Sequence, residues 1–128
     1  MVRWIDKNVD LGLLVEKVQS FLVENGFKAN VEKFKDGWII VATKHFSGEP
    51  KSISIKFLGS PNDFTIDFSG AKYKHDLRLL LPFINFIGLG VFFRRELEFM
   101  DFLKVFEDDF WVYVEKTIDA LKLIDQRS

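Results

Sequence analysis

The sequence predicts a two-layer α+β sandwich: a four-stranded antiparallel meander, five-stranded if Val2–Ile5 pairs, packed against an N-terminal helix and a long C-terminal helix. Three observations predict it. A 3.6-residue apolar stripe runs over 10–25, a second returns over 95–125, and four runs of alternating polarity lie between them. No repeat, linker or low-complexity run divides the chain, so 1–128 is read as one domain.

The first helix rests on Leu11, Leu14, Val15, Val18, Phe21 and Leu22, which share one face. Asp10 is a suitable N-cap, because its carboxylate accepts from the unpaired amides of the first turn. Asn25-Gly26 supplies a left-handed stop, with Phe27 placed to fold back on the last turn.

Strand signals follow at 27–34, and Asp36-Gly37 reads as a two-residue hairpin before the apolar run 38–42. Ile53, Ile55 and Phe57 alternate with Ser52, Ser54 and Lys56, and Phe64, Ile66 and Phe68 with Thr65 and Asp67. One buried and one wet face produce this period of two. Gly59-Ser60-Pro61-Asn62-Asp63 is the turn between them. With Val2–Ile5 in the sheet, the order becomes strand, helix, four strands, helix, an outline shared with curved, helix-gripping sheets.

Pro82 interrupts any helix over 77–93 and Gly88-Leu89-Gly90 breaks it again, so short helical pieces are expected there, with a tight hairpin as the competing reading. From 95 the helical pattern is continuous. Phe99, Phe102, Leu103, Phe106, Phe110, Tyr113, Val114, Leu121 and Ile124 fall on one arc.

Composition narrows the function classes. Hydrophobic residues are 48% and charged residues 29%, as in ordinary globular domains, and a net charge of −1 gives no global pull toward nucleic acid or anionic membrane. With 0 cysteines there is no disulfide framework, thiolate zinc site or cysteine nucleophile. That composition fits a reducing, cytoplasmic setting, and its charge-rich, cysteine-free character leans toward a thermophile. The N-terminal residues lack the apolar run of a signal peptide. Phenylalanine is the outlier at 15 residues, read first as a bulky core.

No template for catalysis is met, so no enzyme activity and no cofactor are predicted. There is no Gly-x-Ser-x-Gly elbow, and Gly88-Leu89-Gly90 lacks the third glycine of a phosphate loop. His45 and His75 leave the ends of two strands at one sheet edge, near Glu49 and Asp76, but a zinc centre needs three fixed ligands, so solvated loop histidines are the preferred reading and no metal is predicted. The acidic residues of the last helix read as a solvated face.

Charge is uneven: 28–95 carries 11 Lys/Arg against 6 Asp/Glu, and 96–128 carries 4 against 9. Lys72, Lys74, His75 and Arg78, with Tyr73, form the candidate anion contact, thin support for a nucleic-acid partner. The apolar stretch 79–93 is too short and too interrupted to cross a membrane, and a buried segment is preferred.

Met100, Trp111 and Ile118, with Leu97 at their edge, project together on a flank of the last helix beside its main stripe. Such a flank either packs within the chain under 77–93, the preferred reading for the flank itself, or meets a protein partner, a second copy in a homodimer included, which is the leading functional expectation. The alternative is a small apolar ligand held between the sheet and the helices, among Phe86, Phe99 and Phe106.

Overall fold

The computed structural model describes residues 1–46, 48–69 and 89–127, the last stretch with its side chains over 98–122. Its elements are β1 (Val2–Ile5), α1 (Leu11–Glu24), β2 (Lys28–Phe34), β3 (Gly37–Phe46), β4 (Glu49–Ser60), β5 (Asp63–Ser69) and α2 (Leu89–Arg127). The strands form one sheet in the order β1-β5-β4-β3-β2, every neighbouring pair antiparallel. The predicted meander is therefore present, and β1 completes it as the fifth strand beside β5.

Helix α1 begins and ends as its sequence requires. Asp10 is extended and its Oδ1 accepts the Leu13 N–H at 3.1 Å. At the far end Gly26 takes φ +88°, Gly26 N–H donates to Val23 O and Phe27 N–H to Leu22 O, both at 3.0 Å. Those two bonds satisfy carbonyls of the last turn, and the chain then delivers Phe27 into the core.

The β2–β3 hairpin turns one residue earlier than predicted. Lys35 and Asp36 form the turn, and Gly37 opens β3 opposite Phe34. Gly37 is needed for space rather than for a left-handed backbone, since a Cβ there would lie 1.8 Å from the Phe57 carbonyl oxygen.

The inward face of the sheet carries Trp4, Ala29, Ile40, Ala42, Ile53, Ile55, Phe57, Phe64 and Ile66, all buried beneath the helices. Side chains pointing to alternate faces place every second residue of each strand in this layer. Helix α2 meets it ring to ring: Phe99 with Phe46 at 5.8 Å, Phe106 with Phe27 at 5.1 Å, Phe110 with Phe68 at 5.1 Å. Among the described residues, phenylalanines thus join the long helix to the sheet and to α1, where Phe21 stacks on Tyr113 at 4.4 Å.

Helix α2 starts at Leu89, earlier than predicted, with the second glycine break at its beginning. The other readings for 77–93 lie outside the described residues. At 39 residues α2 spans about 58 Å. Its buried residues, Phe99, Leu103, Phe106, Phe110, Val114, Ile118 and Leu121, are spaced mainly by four. At about 100° per residue each step of four advances the stripe by about 40° and each step of three takes back about 60°, so all seven stay within about 120° of one another. The core face is thus one arc, turned about 40° from the predicted one toward Ile118, which lies in it.

Candidate functional site

The flank proposed as an interface is mostly covered from within the chain. Ile118 is 0% exposed, and Met100 and Trp111 are half-buried. Trp4 of β1 supplies the cover. Its ring lies 6.2 Å from that of Trp111, its Nε1–H donates to Glu115 Oε1 at 3.1 Å, and Trp111 donates to Glu107 Oε2 at 3.1 Å. Ile118 therefore drops out as an interface residue, because the core face of α2 includes it. The Leu97 side chain lies outside the described residues, as do Phe86 and the whole candidate anion contact, Lys72, Lys74, His75 and Arg78.

Phe99 and Phe106 are buried, but among other rings. Phe106 lies within 6.4 Å of Phe21, Phe27, Phe68 and Phe102, and Phe99 is edge-on to Phe46. His45 is not in a loop: it is the exposed penultimate residue of β3, on the outer face, while Glu49 opposes Phe46 on the inner one. Among the described residues no group of three His, Asp or Glu side chains could hold a metal, and no helix is long and apolar enough to cross a membrane.

Two inward-facing cations escaped the sequence reading. Lys44 and Lys51 oppose each other across β3 and β4. Lys51 is 6% exposed, with its Nζ 3.4 Å from Glu49 Oε2 and 6.0 Å from the Phe99 ring. Lys44 donates to the Asn25 carbonyl at 3.0 Å and lies 4.8 Å from the Phe102 ring. Position parity was the available signal, since 51 precedes 53, 55 and 57 on the buried face. Ion pairing and ring faces make a lysine tolerable there, and the arrangement closes one end of the core.

At the other end of the sheet lies an open cleft of about 550 Å³, lined by Asn8, Asp10, Leu11, Gly12, Trp38, Gly59 and Pro61. Its rim is fixed by Asp6 N–H donating to Asn62 O at 2.7 Å and Val9 N–H to Pro61 O at 3.1 Å. Asp6 and Asn8 both hold positive φ, at 60° and 51°, in the loop that forms one wall. Residues in that region are uncommon outside glycine and gather at turns and binding sites.

A further unassigned surface is the outer face of the sheet, on which no described helix packs. Strand register arranges it in rows. Phe34, Gly37, Leu58, Thr65 and Arg3 make one; Glu32, Ile39, Lys56 and Asp67 the next; Asn30, Val41, Ser54 and Ser69 the third; Lys28, Thr43 and Ser52 the fourth. Phe34, Ile39, Val41 and Leu58 are contiguous in this grid. Val41 is 40% exposed and Phe34 41%, with Ile39 and Leu58 half-buried. The sequence held a signal for this patch too: the unbroken apolar run 38–42 gives β3 apolar side chains on both faces, as strands covered on both sides have.

The electrostatics of the face are set at its β1 edge. Arg3 donates to both carboxylate oxygens of Asp63, at 2.8 Å each. The hydrogen bonds from Arg3 hold the Asp63 carboxyl below its ordinary range, and the same contact raises the Arg3 guanidinium. No protein-family model, curated protein or solved structure matches this chain.

Proposed function

We propose that this chain works by protein contact, and that the outer face of its sheet makes that contact. The contiguous patch of Phe34, Ile39, Val41 and Leu58 on a face left open by both helices carries the reading. Apolar groups of this size cost free energy when hydrated, and interface cores are built from such residues within a polar rim. Here the rim is Lys28, Asn30, Glu32, Ser54 and Lys56.

The test is a benzophenone amino acid placed at position 41 in living cells, with the same probe at Asp109 on the exposed side of α2 as control. Irradiation is expected to join position 41, and not position 109, to a protein chain identified by peptide mass spectrometry. If positions 39 and 41 give no more adduct than the control, the reading fails.

A second reading follows from the cleft beside Trp38, whose hydrogen-bonded rim and half-buried indole suit a small flat ligand. Saturation-transfer NMR with indole and purine as probes checks it. Binding that survives Trp38→Ala, or no binding at millimolar probe, argues against the cleft.

A further inference from the structure

We infer that the occupant of the outer sheet face is a second copy of this chain, related by a two-fold axis lying between the two sheets and along β3. This rests on the contact reading above and names the partner. A two-fold axis in the plane between two facing sheets reflects each face across the line of the axis. With the axis along β3, each β2 residue meets the β4 residue of the same row, and each β3 residue meets its own copy.

The rows are self-complementary under that operation. Glu32 and Lys56 flank Ile39, so each glutamate meets a lysine of the other copy, twice per dimer. Phe34 and Leu58 flank Gly37, so apolar meets apolar. Asn30 and Ser54 flank Val41, so polar meets polar around an apolar centre. Ile39 and Val41 lie on the axis and pack against their own counterparts. Among the described residues neither Glu32 nor Lys56 has an ion-pair partner within its own chain.

This matching of type across β3 is what an isologous interface requires, where one patch must fit itself. It is not what a foreign partner would impose, since such a partner needs no relation between β2 and β4. A tilt of the axis off β3 by about 15°, pivoted between Ile39 and Val41, gives the crossing near 30° usual for packed sheets; it keeps the two central row matches and slides the outer rows by about one strand spacing. The product is a four-layer helix–sheet–sheet–helix assembly. Three strands and four rows cover on the order of 400 Å² in projection. That is small among specific interfaces and fits a reversible dimer of micromolar Kd.

Sedimentation equilibrium from about 1 to 200 µM tests the inference on the intact chain, with circular dichroism confirming the fold of each variant. The unaltered chain is expected to show twice the chain mass at the upper end. Glu32→Lys creates two like-charge contacts per dimer, as does Lys56→Glu, and each alone should weaken dimerisation about tenfold at low salt. The two variants mixed should recover the original affinity as a heterodimer, because every contact in the mixed pair is again between opposite charges. The double variant Glu32→Lys/Lys56→Glu should likewise dimerise with itself.

A monomer at 200 µM overturns the inference, as does a dimer indifferent to both reversals or one that mixing fails to restore. The contact reading fails separately. Photo-adducts from position 41 to a different protein retain the face and discard the second copy, whereas absence of any adduct discards both.

Discussion

Ile118→Ala probes the position of the α2 core face, because the predicted arc leaves this residue on its flank and the structure buries it completely. The substitution removes three carbons from a side chain with no solvent contact. At about 0.8 kcal/mol per methylene the transfer cost is about 2.4 kcal/mol. A partly collapsed cavity raises the total to about 3 kcal/mol, within the span measured for isoleucine-to-alanine changes in cores. Unfolding entropy of about 2.1 cal/mol/K per residue over this chain length converts that into a Tm lower by about 11 °C. The control is Val112→Ala on the same helix, where the side chain is 54% exposed and the expected loss is under about 0.5 kcal/mol, less than 2 °C. Calorimetry on both variants reads the difference. Equal Tm values would refute the burial of Ile118 and return it to the surface.

Gly37→Ala should cost more than about 2 kcal/mol, because its Cβ has no space beside the Phe57 carbonyl and backbone must move; denaturant unfolding measures it. Asp10→Ala should cost about 1 kcal/mol in the same assay, through loss of the acceptor for Leu13 N–H, and Asp10→Asn should recover most of it. The Asp63 carboxyl should titrate below an ordinary aspartate in a carboxyl-detected NMR experiment, and Arg3→Gln should bring it back up. A depressed folded-state pKa means that the pair adds stability above the unfolded carboxyl's pKa of about 3.9 and loses it as pH falls through the folded value. Because both groups are exposed, that contribution should be small and fade with salt.

Local signals were legible where local physics decides. Asp10, Asn25-Gly26 and the alternation of 53–57 and 64–68 each act within a turn or a strand pair, and all are found where the sequence puts them. The hairpin at 35–37 shifted because Gly37 reads as a turn residue, when its role is to let another strand's carbonyl approach. That carbonyl belongs to Phe57, twenty positions on, and no local pattern announces it. Ile118 was misplaced for a related reason. The helical wheel centred its arc on the phenylalanine rings, whereas partners distant in sequence set the buried face about 40° further round. Trp111 looked like surplus because Trp4, its cover, is more than a hundred residues away. The outer patch was masked by the apparent completeness of the inner one: Ile40 and Ala42 account for β3 as a core strand, and Ile39 and Val41 then pass unremarked.

The bond between Trp4 and Glu115 spans 111 positions of sequence, and it bears on the order in which the molecule can assemble during synthesis. At about 5–20 residues per second, a ribosome exposes the first strand some 6–20 seconds before its helical anchor exists. Through that interval the indole of residue 4 has neither its hydrogen-bond acceptor nor the ring of residue 111 beside it. The four-strand meander can close on α1 in the meantime, since all its pairings are between sequence neighbours. The first strand can pair with β5, and Trp4 stack on Phe64 at 5.4 Å, once residue 69 has emerged, so the late step is the closing of α2 over an indole that until then lacks its acceptor and its second ring.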